Sequence, residues 1–151
     1  MKKEVTILIA EDDAGHAALI KKNLKRAGIS NNIVHFVDGQ QVLDFLFQKK
    51  EIEDTSENSF LLLLDIRMPK VDGVEVLTQL KKDPELKKIP IIIITTTDDP
   101  KEINECHKLG CSTYIVKPID YKQFIDAIVQ LGLFLTVVEV PVINKVYQNA
   151  K

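Results

Sequence analysis

The sequence predicts an α/β domain: a parallel five-stranded sheet of (βα)5 pattern, doubly wound so that helices cover both faces. Three observations carry this. Short β-branched or leucine-rich runs recur at Val5–Ala10, Ile33–Val37, Phe60–Leu64, Ile91–Thr95 and Thr113–Val116. Segments with helical spacing separate them, the pattern of βαβ units. Two runs, Leu61 to Leu64 and Ile91 to Ile94, are apolar at every position, which suits strands buried on both faces.

Each element has its own justification. After the first strand, Asp13 is placed to cap a helix that Ala17, Ile20, Leu24 and Ala27 would seat, with Gly28 to end it. Asp38 follows the second strand and leads into a helix carrying Val42, Phe45 and Leu46. The polar stretch Lys49–Ser59 reads as a surface loop. Beyond the third strand, Asp72 precedes a helix begun by Val74 and Leu77, and Asp83–Ile89, with Pro84, forms a short extra turn. Ile103 and Cys106 mark a weaker fourth helix ended by Gly110. Asp120 leads into a fifth, with Phe124, Ile128 and Leu131 on one face. The run from Phe134 to Ile143 is too apolar for a free terminus, and gives the domain an apolar C-terminal extension.

Composition narrows the function. The 151 residues amount to one domain, and 20 Lys+Arg against 22 Asp+Glu leave a net charge of −2. No basic excess speaks for nucleic acid as a partner. The longest apolar runs fall far short of the roughly 20 residues of a membrane span, and the short apolar stretch after Met1 ends at Glu11-Asp12-Asp13, unlike a signal peptide. Two cysteines, Cys106 and Cys111, build neither a disulfide framework nor a zinc site and read as buried thiols. A cytoplasmic domain is expected, with no membrane partner.

In an open α/β sheet, sites form at the carboxyl ends of the strands. Here those ends carry Glu11-Asp12-Asp13, Asp65, Thr95-Thr96-Thr97 and Lys117-Pro118. Taken singly, each has an ordinary explanation as a helix cap, a turn former, a strand residue or a surface lysine. Together they bring carboxylates, a hydroxyl and an ammonium to one edge. Carboxylates on neighbouring strands repel, and a hard divalent cation such as Mg²⁺ relieves that repulsion. An Asp beside such a cation, a lysine and a hydroxyl suits nucleophilic capture of a phosphoryl group.

The blocks Ile7-Leu8-Ile9-Ala10-Glu11-Asp12-Asp13, Leu63-Leu64-Asp65-Ile66-Arg67-Met68-Pro69-Lys70-Val71-Asp72-Gly73, Ile94-Thr95-Thr96 and Tyr114-Ile115-Val116-Lys117-Pro118 resemble the receiver domain of two-component response regulators. The resemblance covers about residues 4–133 and implies a flavodoxin-like sheet of order 2-1-3-4-5. It implies Asp65 as phospho-acceptor and Mg²⁺ held by Asp12, Asp65 and the Arg67 backbone carbonyl, with Glu11 acting through water. Thr95 and Lys117 would contact phosphoryl oxygens, and Tyr114 would be the aromatic that moves with Thr95. Arg67 stands where Asn is frequent; with Thr97 it is expected to tune the lifetime of the phosphorylated state. Within the family, Asp12-Asp13-Ala14-Gly15-His16-Ala17 and the segment Phe134-Leu135-Thr136-Val137-Val138 look closest to phytochrome-associated single-domain regulators.

The resemblance implies a stand-alone signalling phospho-acceptor, not an enzyme, with a sensor histidine kinase as partner, phytochrome-like by the finer resemblance. A haloacid dehalogenase-like phosphatase would want Asp-x-Asp after the first strand, where this chain has Glu-Asp-Asp. A pseudo-receiver would be expected to lack a motif residue, and a P-loop is absent. The expected division is a receiver domain over 1–133 and an extension over 134–151, with no output domain. His16, outside the motif residues, reads as a helix-surface histidine, and His107 as part of a solvated face. Phe134, Leu135, Val137, Val138 and Val140 need cover. A homodimer through helix five and the extension is expected to supply it; the alternative is that the segment folds back on its own domain.

Overall fold

The computed structural model describes residues 1–48 and 57–144. The element order is β1 (Thr6–Ala10), α1 (Ala14–Arg26), β2 (Ile33–Phe36), α2 (Gly39–Leu46), β3 (Glu57–Asn58), β4 (Phe60–Leu64), α3 (Gly73–Lys81), β5 (Ile91–Thr95), α4 (Pro100–Leu109), β6 (Thr113–Val116), α5 (Tyr121–Leu135) and β7 (Ile143–Asn144). A 3-10 turn at Leu86–Lys88 fills the excursion expected between α3 and β5. Most of the stretch expected as a loop, residues 49–56, lies outside the described residues.

The main sheet runs β2-β1-β4-β5-β6, all parallel. Without the two-residue β3 this is the expected order 2-1-3-4-5. The wholly apolar strands are explained by two cores. Leu8, Ala10, Leu62, Leu64, Ile91 and Ile93 face α2, α3 and α4 through Val42, Leu46, Leu77, Leu80 and Cys106. Their alternates Ile7, Ile9, Leu61, Leu63, Ile92 and Ile94 face α1 and α5 through Ile20, Leu24, Phe124, Ile128 and Leu131. Side chains alternate along a strand, so a sheet covered on both sides needs apolar residues at both parities.

An aspartate caps every described α-helix. Asp13, Asp38, Asp72, Asp99 and Asp120 accept from the backbone N–H of His16, Gln41, Glu75, Lys101 and Gln123 respectively. At the other end of α4, Gly110 takes a left-handed φ of 104° that favours glycine.

The C-terminal segment folds back in part on its own domain, the alternative to cover from a second copy. The helix runs past Leu133 to Leu135, which is fully buried, and Val138 and Val140 pack on the α1/α5 core. Ile143 then joins the opposite core, where β7 pairs antiparallel with β3 through Asn58. The segment thus passes from one face of the sheet to the other, burying Leu135 and Ile143 fully and Val138 and Val140 in part within its own domain. Leu133, Phe134, Val137 and Val142 are the large apolar side chains of this region that remain half-exposed or more.

Candidate functional site

Backbone bonds align the strand ends before any side chain takes part. The Asp65 N–H donates to the Ala10 carbonyl at 3.0 Å, setting Asp65 beside Glu11. The Lys117 N–H donates to the Thr95 carbonyl at 2.6 Å, joining the ends of β5 and β6. Behind Asp65 the loop is tight. A Cβ on Gly73 would lie 2.2 Å from the Asp65 carbonyl oxygen, so only glycine lets α3 start this close to the strand.

Glu11, Asp65 and Lys117 are all buried, and they form one network. The Lys117 ammonium donates to Glu11 Oε1 at 2.6 Å and to Asp65 Oδ2 at 3.3 Å. Glu11 Oε2 accepts the Asp13 N–H at 3.1 Å, and Asp65 Oδ1 accepts the Ile66 N–H at 2.7 Å. One ammonium faces two buried carboxylates. Burial foremost, with the Asp65 charge adding to it, pushes Glu11 up to about 7 despite the opposing hydrogen bond from Lys117. A cation in the same place would favour ionised Glu11.

The expected metal-binding carboxylates do come together. Glu11, Asp12 and Asp65 each offer an oxygen within 4.8 Å of the others, with Asp12 exposed at the mouth. An all-oxygen donor set of this size fits Mg²⁺ or Mn²⁺.

Thr95 is fully buried, and its Oγ1 is the one buried side-chain polar atom without a hydrogen-bond partner among the described residues. Leaving such a hydroxyl unpaired costs about 1–3 kcal/mol, a cost that an incoming oxygen would remove. Tyr114 is half-buried, and its hydroxyl donates to the Thr97 backbone carbonyl. The Arg67 side chain is drawn towards α4, where its Nη2 lies 3.1 Å from Glu102 Oε1.

One residue of the site was not read from the sequence as part of it. His16, expected on the helix surface, places Nδ1 2.9 Å from Lys117 Nζ and rests its ring on Phe124, with centroids 5.4 Å apart. Its position in the first turn after Asp13 is a usable signal, but the Phe124 contact is far away in sequence. His107 is exposed, as expected, with its ring 6.5 Å from that of Tyr114. Cys106 and Cys111 are free and buried, and burial raises both thiols, Cys106 to about 11, so neither is primed for reaction.

Comparison with known proteins agrees with this arrangement. The family model described as response regulator receiver domain matches residues 7–129. The response regulator Rcp1 of Synechocystis is 33% identical over 116 residues, covering 77% of this chain and 78% of that protein. The structure of a response regulator receiver domain from Rhodospirillum rubrum superimposes with a TM-score of 0.85 at 42% identity, covering 92% of this chain and 99% of that one. Two further structures each superimpose with a TM-score of 0.81 at 30% identity over 90% of this chain. They are the phosphorylated cyanobacterial phytochrome response regulator RcpA, covered to 97%, and the Mn²⁺-bound form of response regulator Rcp1, covered to 98%.

Proposed function

Because the chain belongs to the response regulator receiver domain family of two-component signalling, we propose that it accepts a phosphoryl group on Asp65 from the phosphohistidine of a sensor histidine kinase. In that step an Asp65 carboxylate oxygen forms the new P–O bond while the P–N bond to the kinase imidazole breaks. Glu11, Asp12 and Asp65, with the Arg67 backbone carbonyl, would hold Mg²⁺, which supplies charge neutralisation for the transferring group. Lys117 exchanges its long bond to Asp65 for a phosphoryl oxygen, and Thr95 donates its unpaired hydroxyl to another. The observation that carries the reading is that hydroxyl, buried and unpartnered one strand away from Asp65.

Binding of Thr95 to the phosphoryl group would bias the Tyr114 ring beside it, and so the α4–β6–α5 face, between two packed arrangements. The product is a changed surface and no released small molecule. The similarity to RcpA, a cyanobacterial phytochrome response regulator, favours a phytochrome-like kinase as the donor. The receiver spans 1–133, and we take the cytoplasm as its compartment, in keeping with the free thiols. Among the described residues no helix is long and apolar enough to cross a membrane. Self-association through the exposed Leu133, Phe134 and Val137 remains part of the proposal.

Incubation with Mg²⁺ and acetyl phosphate, followed by intact-mass measurement, tests the reading. One phosphoryl group is expected on the wild type and none on Asp65→Asn. Equal modification of the two proteins would remove Asp65 from the mechanism.

A further inference from the structure

We propose that His16 is a positioning residue for Lys117: its Nδ1 lone pair takes one ammonium proton and holds the amine at the site while the carboxylates are engaged elsewhere. The proposal rests on the phospho-acceptor reading above. It starts from the donor inventory of Lys117, which has three N–H bonds and no acceptor. The three go to Glu11 Oε1 at 2.6 Å, His16 Nδ1 at 2.9 Å and Asp65 Oδ2 at 3.3 Å. Because an ammonium only donates, Nδ1 must accept, and the ring must be the neutral tautomer with its proton on Nε2.

The ring is held for this task from two helices. Asp13 Oδ1 accepts the His16 backbone N–H at 3.0 Å, fixing the first turn of α1, and the imidazole leans on Phe124 of α5 at a tilt of 55°. Of the three acceptors His16 alone is not a carboxylate. The other two, Glu11 and Asp65, belong to the cluster that a divalent cation would occupy. His16 is therefore the acceptor that stays with the ammonium when those carboxylates turn away. The 3.3 Å contact to Asp65, the longest of the three, is the one that a phosphoryl oxygen replaces. Without Nδ1, the amine of a lysine only 5% exposed keeps partners that both have a second duty.

The test compares His16→Leu, which removes the acceptor, with His16→Asn, whose amide oxygen can sit near the place of Nδ1. Each is measured alone and in a Lys117→Ala background. The initial rate of acetyl phosphate phosphorylation at saturating Mg²⁺ should fall roughly fivefold to tenfold in His16→Leu and stay within about twofold in His16→Asn. In the Lys117→Ala background, His16→Leu should cause no further loss. On the metal-free wild type, long-range ¹H–¹⁵N NMR at pH 8 should show the Nε2–H tautomer of His16, a measurement that stands even if His16→Leu fails to fold. A wild-type rate in His16→Leu, an equal loss in the Lys117→Ala background, or an Nδ1–H tautomer would overturn the assignment. A wild type that takes up no phosphoryl group would instead overturn the phospho-acceptor reading.

Discussion

The Tyr114 hydroxyl donates to the backbone carbonyl of Thr97 at 2.8 Å. This bond ties the aromatic of β6 to the loop that leaves β5, two residues beyond the orphan hydroxyl of Thr95. Alongside it, the Arg67–Glu102 pair ties the loop after β4 to the first turn of α4. The loops after β4 and β5, both beside Asp65, are thereby tied to α4 and β6 by one charged and one neutral contact.

The high-pH limb of stability should carry the signature of Tyr114. Burial, reinforced by Cys106 and Glu102, pushes its phenol up to about 12 from an ordinary value of 10. Its folded-state pKa is raised, so its contribution to stability is fully present below about pH 10 and is lost as the pH rises towards 12. Urea melts at pH 9 and pH 11 should therefore show a smaller loss for Tyr114→Phe than for the wild type. Identical losses would mean that the phenol titrates alike in both states.

Magnesium binding should rest on Asp12 far more than on Asp13. Asp12 belongs to the oxygen cluster, whereas Asp13 caps α1 through the His16 N–H. Asp12→Ala is expected to weaken Mg²⁺ binding by about tenfold or more, and Asp13→Ala to lower helix stability with little change in affinity. Calorimetric titration of both variants decides it, and an Asp12→Ala affinity equal to the wild type's would move the ion elsewhere.

The lifetime of the phosphorylated state should depend on Arg67 and Thr97. Arg67 is held away by Glu102, so Glu102→Gln should free its guanidinium and change the decay rate in the opposite sense to Arg67→Ala. Decay followed after rapid removal of the phosphodonor gives the comparison. Unchanged rates in Arg67→Ala, Glu102→Gln and Thr97→Ala together would end the idea.

Ile143 should matter to stability and Phe134 to association. Ile143→Ala removes a side chain only 1% exposed and should cost about 2–5 kcal/mol. Phe134→Ser with Val137→Ser touches residues that are 59% and 74% exposed, so the fold should survive while any dimer is lost. Sedimentation across concentration reads the second effect. A wild type that stays monomeric at high micromolar concentration, with and without beryllofluoride, would sink the dimer.

The strands were legible because a sheet covered on both faces leaves unbroken apolar runs, and four of the five caps because Asp after a strand is a strong local signal. Asp99 was missed although Pro100 at the start of α4 marks it. The β3–β7 pairing was not legible: two residues have no periodicity, and the partners lie 85 positions apart at Asn58 and Ile143. Strand order and the roles of the site residues came from the motifs, since spacing alone does not choose among parallel topologies. His16 shows the remaining gap, because its partners Lys117 and Phe124 come from the far end of the chain.

The five aspartate caps have a consequence for selectivity. A helix amino terminus is a ready-made anion site, and in this fold all five open on the edge that carries Asp65. Left bare, they would be decoys, each offering backbone N–H groups to a phosphate. Asp13, Asp38, Asp72, Asp99 and Asp120 each occupy their own helix end with a tethered carboxylate. A free anion arriving there finds the donor taken and a like charge in its path. Between β4, β5 and β6 stand Lys117 and the unpaired hydroxyl of Thr95 instead, so on the proposed function a dianion is expected to settle there in preference to a capped helix end.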